Sequence, residues 1–421
     1  MTPGAPFIVR KDDHLFIDQW RAKRIAEHVG TPCFVYSKAA LEHAWHQYAD
    51  ALAGTPHLIC YAVKANSNLA ILNLFARLGA GFDIVSGGEL ARVLAAGGKA
   101  DRVVFSGVGK TEGEMRAALY AGIKCFNIES PSELERLDRV AGEMGKVAPI
   151  SVRVNPDVDA KTHAHISTGK KENKFGIGYD MAPDVYRRAR DLANIRITGI
   201  DAHIGSQVLD VEPLYACMRR LLDLVDRLAS EGIHLHHISN GGGLGVQYRQ
   251  GETSPDIPAY VTRLMAMLDG RKLELLLEPG RSLVGNAGVL LSTVEVLKIA
   301  GEKRFCVVDA AMNDLARPAI YGAWHDIVNA GPDTAPVRDW DVVGPVCEST
   351  DKLGEGRPLG ISEGDMVAIL SAGAYGMTMS SNYNTRPRAV EVLIDGDDAH
   401  IIRKREVIAD LFKDELIPGQ G

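Results

Sequence analysis

The chain has 421 residues, 46% of them apolar and 24% charged, which predicts a soluble globular protein with two domains. Its net charge of −7 is dispersed along the sequence, which argues against a nucleic-acid partner. No apolar run approaches the ~20 residues of a membrane-spanning helix, and the N-terminus lacks a secretory pattern, so we expect a cytoplasmic protein without a membrane partner.

Two short strand-like runs, at 7–10 and 14–17, lie near the start of the chain. No helical segment follows them in the way that would build them into a β-α repeat. We therefore expect them to pair with a β-rich C-terminal domain.

From residue 58 onward, short β-branched runs alternate with segments of helical periodicity. The predicted strands lie at 58–63, 82–86, 103–106, 125–128, 150–154, 198–203, 235–239 and 273–278. Helices are predicted between them, as at 131–140, where Ser130 is a favourable N-cap. Eight β-then-α units in about 250 residues match a (β/α)8 barrel, although an open doubly wound sheet also alternates strands and helices. The barrel is favoured because polar residues follow several of these strands, and a barrel brings the carboxyl ends of all its strands to one face.

The predicted secondary structure changes near residue 285, where strand-like runs replace the segments of helical periodicity. We predict an α/β fold with the (β/α)8 barrel over 36–285, and a second, all-β domain formed by 1–35 and 286–421. The longest connection without predicted structure, 155–178, is rich in Asp, Lys, His, Gly and Asn, and we predict that it is an active-site loop.

The first barrel strand runs into a lysine, Lys64, within the segment ICYAVKANSN at 59–68. Apolar surroundings disfavour the charged form of an amine, so a lysine here can be a nucleophile that forms a Schiff base with a carbonyl. A strand-end lysine that merely reaches water is the alternative interpretation.

The last two barrel strands end in loops suited to binding an anion. The glycines of NGGGLGV at 240–246 let backbone N–H groups approach a phosphate, and LEPGRSL at 277–283 places Glu278 and Arg281 around a rigid turn. Glu278 can pair with a protonated pyridine nitrogen, so Lys64, the two loops and Glu278 together suit pyridoxal phosphate. A mere tight turn at the glycines and an ion pair between Glu278 and Arg281 are the alternatives.

The segment HIGSQ at 203–207 follows the sixth strand, which puts His203 at the barrel mouth and lets Ser206 donate to a phosphate. His203 is either a structural histidine or a ring that stacks on the cofactor. The cluster HLHH at 234–237 has no cysteine or carboxylate at ligand spacing, so we predict no metal site.

Polar groups also follow strand-like runs in the second domain. Cys347 and Glu348 suit a proton donor and an acceptor for a substrate cation, while Arg317 and Tyr321 suit a carboxylate clamp. The alternatives are a buried cysteine beside a surface glutamate, and ordinary loop packing. The six cysteines include no C-x-x-C pair, so we expect reduced thiols, mostly in the core.

These motifs make the chain resemble the diaminopimelate decarboxylases, which are pyridoxal-phosphate enzymes of the alanine-racemase-like fold type. The similarity runs over nearly the whole length, through YAVKANSNL at 61–69, FDIVSGGE at 82–89, HIGSQ at 203–207, GGGLG at 241–245, EPGR at 278–281, MNDL at 312–315, RP at 317–318, CES at 347–349 and GAY at 373–375. Related ornithine and arginine decarboxylases share the lysine, the Gly-rich segment and EPGR. By contrast, HIGSQ and the contexts of Arg317 and Cys347 resemble the diaminopimelate type.

The resemblance implies decarboxylation of meso-2,6-diaminopimelate to L-lysine and CO2, the last step of lysine biosynthesis, in a homodimer with shared active sites. The cofactor-binding residues that it implies are Lys64, His203, Ser206, Gly243, Gly245, Glu278, Gly280, Arg281 and Tyr375. The substrate-binding residues that it implies are Arg281, Arg317, Tyr321, Glu348 and Tyr375. It implies that Lys64, His203 and Cys347 are catalytic, with Cys347 reaching in from the partner subunit as proton donor.

Alternatives from other classes are a racemase, which needs an acid/base group on each face of the reacting carbon, and an inactive homologue that acts as a regulatory binder. The joint presence of Lys64, Glu278 and Cys347 argues against the inactive homologue. Another basic amino-acid decarboxylase on the same scaffold is the nearest alternative, and it has no need of Arg317.

Overall fold

A computed structural model describes residues 3–159 and 174–419. The chain forms two compact units. The β-rich unit comprises Met1–His43, Gln247–Thr253 and Val284–Gly421, and the barrel unit comprises Ala44–Val246 and Ser254–Leu283. Most of the predicted active-site loop at 155–178 lies outside the described residues.

The N-terminal part of the chain contributes short strands and two helices. These elements are β1 (Ile8–Lys11), β2 (His14–Ile17), β3 (Trp20–Arg21), α1 (Ala22–Val29), β4 (Cys33–Ser37) and α2 (Lys38–Ala51).

The first two strands belong to the β-rich unit, as expected, but they do not join its large sheet, because β1, β2 and β3 form an antiparallel sheet of their own. Asp12 and Asp13 both have positive φ, 48° and 59°, as in the two-residue turns that close local hairpins. The N-terminal strand that does join the C-terminal sheet is β4.

The barrel unit alternates strands and helices along the chain. Its elements are β5 (His57–Ala62), α3 (Leu69–Arg77), β6 (Gly81–Ile84), α4 (Gly87–Ala95), β7 (Val103–Phe105), α5 (Glu112–Ala121), β8 (Cys125–Ile128), α6 (Pro131–Glu143), β9 (Ala148–Asn155), β10 (Ile177–Gly178), α7 (Ala182–Asp191), β11 (Ile195–Asp201), α8 (Glu212–Ser230), β12 (His237–Ser239), α9 (Ile257–Met267) and β13 (Glu274–Leu277). The short helix α10 (Arg281–Val284) follows the last strand.

All eight predicted strand positions hold a strand, and these strands pair in parallel in the order β9-β11-β12-β13-β5-β6-β7-β8. The pairing of β8 with β9 closes the ring, which confirms the predicted barrel and excludes the open sheet. Local sequence explains its helices. Ser130 caps α6 by accepting a hydrogen bond from the N–H of Glu133, as predicted, and Pro131 occupies the first turn, where it costs no hydrogen bond.

Strand register sets which side chains share the barrel interior. Leu58, Cys60, Val104, Cys125 and Leu276 form one buried apolar cluster within it. Residues paired across neighbouring parallel strands point to the same face, and alternate residues along a strand return to it. Nearer the carboxyl ends of the strands, the same rule places polar residues inside the barrel.

The β-rich unit is built around a mixed sheet. Its remaining elements are β14 (Gly288–Ala300), β15 (Lys303–Val308), α11 (Arg317–Tyr321), β16 (Ile327–Asn329), β17 (Arg338–Val343), β18 (Lys352–Leu359), β19 (Met366–Ile369), β20 (Val390–Asp395) and β21 (Asp398–Arg403). The strands follow the order β18-β17-β15-β14-β4-β20-β21, and β19 pairs with both β14 and β16. Buried side chains of β1 and β2, including Ile8 and Ile17, share a core with Leu291 and Val392 of this sheet.

In the part of the chain that the structure describes, no helix combines the length and apolar character needed to cross a bilayer.

Candidate active site

Lys64 lies in the single turn of 3-10 helix, Val63–Ala65, that follows β5. Its Nζ donates a hydrogen bond to Asp83 Oδ2 at 2.7 Å. The Asp83 side chain is 2% exposed and that of Lys64 is 39% exposed. Lys64 therefore does more than extend into water, because its amine is held by a buried carboxylate at the barrel rim.

Asp83 had no predicted role, although a charged residue inside the apolar strand β6 was a signal for it. It is the register partner of Ala62 at the end of β5. Its side chain therefore points to the same interior face as that of Ala62.

The Gly-rich segment after β12 lies against the loop that carries HIGSQ. Val208 N–H donates to the carbonyl of Gly243, and Gly245 N–H donates to the carbonyl of Val208, both at 2.9 Å. Gly243 has a φ of +99°, and a Cβ there would collide with the carbonyl oxygen of Gly205. Only glycine gives both this backbone conformation and this close approach.

Ser206 and Arg281, both predicted phosphate ligands, lie together. Arg281 Nη2 and Nε donate to Ser206 Oγ at 3.0 and 3.3 Å, and Arg281 is only 6% exposed. Gly280, next to it, faces the end of β5, since a Cβ at this position would lie 3.0 Å from the Cβ of Ala62. A buried guanidinium and a hydroxyl at one end of the barrel form a donor set that suits phosphate.

Glu278 is buried and shares its environment with two more carboxylates. Ser239 Oγ donates to Glu278 Oε1 at 2.8 Å and accepts from Gly241 N–H at 3.1 Å. Burial, and after it the nearby Asp201 and Asp83, raises the pKa of Glu278 well above its usual range, whereas Lys64 acts in the opposite sense.

Asp201 is a second carboxylate that had no predicted role. It is the register partner of Ser239 on one side and of Arg153 on the other, so these side chains line one row inside the barrel. Burial raises the pKa of Asp201 to about 6, although the charge of Arg153 favours its ionised form. Its Oδ1 is buried without a hydrogen-bond partner.

Arg153 is itself a barrel residue that the predictions missed. Its Nη1 donates to Glu129 Oε1 at 3.0 Å, in an ion pair that is almost fully buried. A charged residue in the otherwise apolar run of β9 was the available signal. Arg153 and Lys64 thus supply positive charge among the four buried carboxylates Asp83, Glu129, Asp201 and Glu278.

His203 accepts a hydrogen bond at Nδ1 from Gly242 N–H at 3.3 Å. A ring nitrogen that accepts carries no proton, so a neutral His203 holds its proton on Nε2. Burial, followed by the charges of Arg153 and Lys64, lowers the pKa of His203 well below its usual range. His203 is therefore a neutral ring at the mouth of the barrel.

The β-rich unit holds the other predicted residues. Arg317, 6% exposed, begins α11, and its Nη1 lies 2.8 Å from His325 Nε2. Its Cζ lies 4.6 Å from the centre of the Tyr248 ring. Arg317 is thus a buried guanidinium between two rings, and its role as a carboxylate clamp stays a prediction.

Cys347 is exposed, and the other cysteines are buried free thiols, as expected. The alternative of a buried cysteine at 347 was wrong. Its backbone N–H donates to Asn384 Oδ1 at 3.1 Å, and the neighbouring Glu348 accepts from the Tyr383 hydroxyl at 2.6 Å.

Tyr321 ends α11 and is partly exposed. Tyr375 is also partly exposed and has a φ of 56°, which is unusual for a residue with a side chain. Within the described residues, no group of His, Cys, Asp and Glu side chains is arranged to hold a metal ion.

Comparison with known proteins identifies the family. Residues 38–285 match the family described as the pyridoxal binding domain of pyridoxal-dependent decarboxylases. The chain is 57% identical over 409 residues to a diaminopimelate decarboxylase of Pseudomonas aeruginosa, which covers 97% of this chain and 98% of that protein.

Solved structures agree with this result. Diaminopimelate decarboxylase from M. jannaschii, in co-complex with L-lysine, is 37% identical with a TM-score of 0.93 and covers 99% of both chains. The Helicobacter pylori enzyme, complexed with L-lysine, is 42% identical with a TM-score of 0.89 and covers 93% of this chain and 98% of that one. This chain therefore belongs to the diaminopimelate decarboxylase family of pyridoxal-phosphate-dependent enzymes.

Proposed function

We propose that this chain is a carboxy-lyase that converts meso-2,6-diaminopimelate to L-lysine and CO2, the last step of lysine biosynthesis, with pyridoxal phosphate as cofactor. The observation that carries the proposal is full-length similarity to diaminopimelate decarboxylases, two of which were solved with L-lysine, the product of this reaction.

The residues of the barrel unit fit the cofactor. Lys64 offers an amine at the rim. Gly243 has no side chain and lies close to the carbonyl of Gly205, so its backbone can approach a bound phosphate. Ser206 and the buried Arg281 supply donors for a phosphate. Glu278 is a buried carboxyl group whose ionised form needs a cationic partner, and a pyridine nitrogen that carries a proton is such a partner.

Each of these residues then has a task. Pyridoxal phosphate, when bound, supplies a conjugated ring that takes up the electron pair left when CO2 departs. Glu278 holds the proton at the ring nitrogen, with Ser239 fixing the carboxyl orientation through its 2.8 Å hydrogen bond. His203, being neutral, would face the ring of the bound cofactor without adding charge next to it. Lys64 would hold the cofactor through its amine, which Asp83 orients at the barrel rim.

The β-rich unit is proposed to supply most of the residues that recognise the substrate. In this proposal Arg317, Tyr321 and Tyr375 of this unit, with Arg281 of the barrel unit, bind the distal carboxylate, and Glu348 binds the distal ammonium group. Loss of CO2 leaves a carbon that must gain a proton, and Cys347 of the partner subunit is proposed as the donor. The exposure of Cys347 and Glu348 in the single chain supports a site completed across a homodimer.

This arrangement explains the choice of substrate. Ornithine lacks a distal carboxylate, so it would leave the buried Arg317 without the acceptor for which it is placed. A site built to bind a polar group rejects analogues that lack the group far more strongly than an apolar pocket rejects a missing methylene.

CO2 release from the purified holoenzyme tests the proposal, with meso-diaminopimelate, L-ornithine and L-arginine compared as substrates. We expect diaminopimelate to be preferred by at least about 100-fold in kcat/KM. Arg317→Ala should narrow this preference while cofactor absorbance stays the same, and Arg338→Ala, an exposed arginine of the same unit, is the matched control. Faster release from ornithine or arginine, or racemisation without CO2, would reassign the reaction.

A further inference from the structure

The guanidinium of Arg317 is held by two rings, those of His325 and Tyr248. His325 is fully buried, and its Nε2 lies 2.8 Å from Arg317 Nη1. Tyr248, 5% exposed, lies beneath the guanidinium, with the ring centre 4.6 Å from Arg317 Cζ. The two rings meet edge to face, with centroids 5.0 Å apart and planes at 80°.

The partners of His325 fix its protonation. Its Nδ1 lies 2.9 Å from the carbonyl oxygen of Leu370, which can only accept a hydrogen bond, so Nδ1 carries the proton. A guanidinium can only donate, so Nε2 must offer its lone pair to Arg317. A neutral imidazole with one defined tautomer satisfies both partners, whereas a protonated ring would direct an N–H at a cation.

His325 is itself held in place by its surroundings. Its backbone carbonyl accepts from Arg357 Nη2 at 3.2 Å, and Leu370 directly follows β19. The next residue, Asp326, accepts from the backbone N–H of Gln250 at 2.8 Å, within the same segment as Tyr248. The ring is therefore a rigid support.

We propose that His325 is a positioning residue for substrate recognition: it fixes the plane of the Arg317 guanidinium without placing a negative charge beside it that would compete with a substrate carboxylate. An aspartate or glutamate in this place would orient Arg317 equally well, but its charge would compete with the substrate. The inference rests on the proposed function, in which Arg317 binds the distal carboxylate.

Two inhibitors, L-lysine and 1,5-diaminopentane, distinguish the contact between Arg317 and a ligand carboxylate from the other contacts of the site. The proposed reaction removes CO2 from the D centre of the meso substrate, so the L-lysine product retains the distal carboxylate. 1,5-Diaminopentane has the same carbon chain and both amines but no carboxylate. Orientation of Arg317 should therefore affect inhibition by L-lysine and should not affect inhibition by 1,5-diaminopentane.

The experiment measures competitive inhibition constants of both ligands against CO2 release by the holoenzyme. His325→Leu removes the acceptor, and we expect L-lysine to inhibit at least about tenfold more weakly, since hydrogen bonds to charged groups contribute on that scale. KM for diaminopimelate should rise more than kcat falls. His325→Gln keeps an acceptor oxygen near the Nε2 position and should stay within about threefold of wild type. His400→Leu, at an exposed histidine of β21, is the control.

If His325→Leu weakens inhibition by L-lysine and by 1,5-diaminopentane equally, the substitution disturbs the site in general and the inference is wrong. Unchanged inhibition by L-lysine would also overturn the inference. If His325→Leu does not fold, His325→Gln decides, because a tenfold loss there shows that an acceptor is not what matters. Arg317→Ala separates the two proposals. If Arg317→Ala weakens inhibition by L-lysine and His325→Leu does not, only the proposed role of His325 is wrong. If Arg317→Ala leaves inhibition by L-lysine unchanged, the proposed substrate role of Arg317 is wrong as well.

Discussion

Replacing Asp201 by asparagine removes the charge of a carboxyl group that is 1% exposed and faces Ser239 and Arg153 inside the barrel. The ionised form of Asp201 is disfavoured by burial, which raises its pKa to about 6 in the folded protein. In the unfolded chain an aspartate titrates at about 3.9. The folded protein therefore binds a proton at this site more tightly than the unfolded chain does.

This difference fixes the sign and size of the expected effect. A raised folded-state pKa gives stability that is fully present below the unfolded pKa and is lost as pH rises through the folded pKa. With a folded pKa of about 6, the Asp201 term in the free energy of unfolding is about 1.4 kcal/mol larger at pH 5 than at pH 8. Asp201→Asn has no such term, so its stability relative to wild type should fall by that amount from pH 8 to pH 5.

Thermal unfolding of the cofactor-free proteins at the two pH values measures this difference. The change corresponds to about 1.5 to 3 °C in the relative Tm, depending on whether the whole chain or the barrel unit unfolds in the transition. Asp269→Asn, at an exposed position of the same unit, should show no such change. If the Tm difference between Asp201→Asn and wild type is the same at both pH values, Asp201 does not titrate in this range and the reasoning about its burial is wrong.

Three further predictions concern the cofactor and the assembly. Lys64→Ala should lose the visible absorbance of covalently bound cofactor, and a band that persists after dialysis would place the covalent bond elsewhere. Gly243→Ala should weaken cofactor binding at least about tenfold, measured by cofactor dissociation, because its Cβ meets the Gly205 carbonyl; Gly251→Ala, with a φ of +89° but open space, is the control, and equal effects would show that backbone strain alone is responsible. Mixing inactive Lys64→Ala and Cys347→Ala subunits should restore about a quarter of wild-type activity if subunits share sites, and verified heterodimers without activity would count against sharing.

The barrel was predictable because its signals are local. Apolar β-branched runs, the cap at Ser130 and the glycines at 241–245 each act within a few residues, so strand positions could be located without knowing their partners. The loops at Gly243 and Glu278 could be assigned to one rim because every parallel barrel gathers the ends of its strands there.

The remaining features depend on contacts between distant parts of the chain. Asp83, Arg153 and Asp201 stood out only as charged residues within apolar strands, and the strand register that brings Arg153 beside Asp201 is a property of the closed barrel. The strand β16 has only three residues, and β17, β18 and β21 contain charged residues and no long apolar run, so these strands were not predicted. The role of His325 could not be predicted either, because it depends on contacts with Leu370 on one side and Arg317 on the other that only the fold creates.

The position of β4 imposes an order on biosynthesis of the protein. This strand, at Cys33–Ser37, lies between β14 and β20, antiparallel to the first and parallel to the second. The ribosome releases β4 early, yet its neighbour β20 at Val390–Asp395 emerges only when nearly all of the chain has been made. The barrel segment can complete its own strands in the meantime, whereas β4 can be paired along both of its edges only when translation is nearly finished.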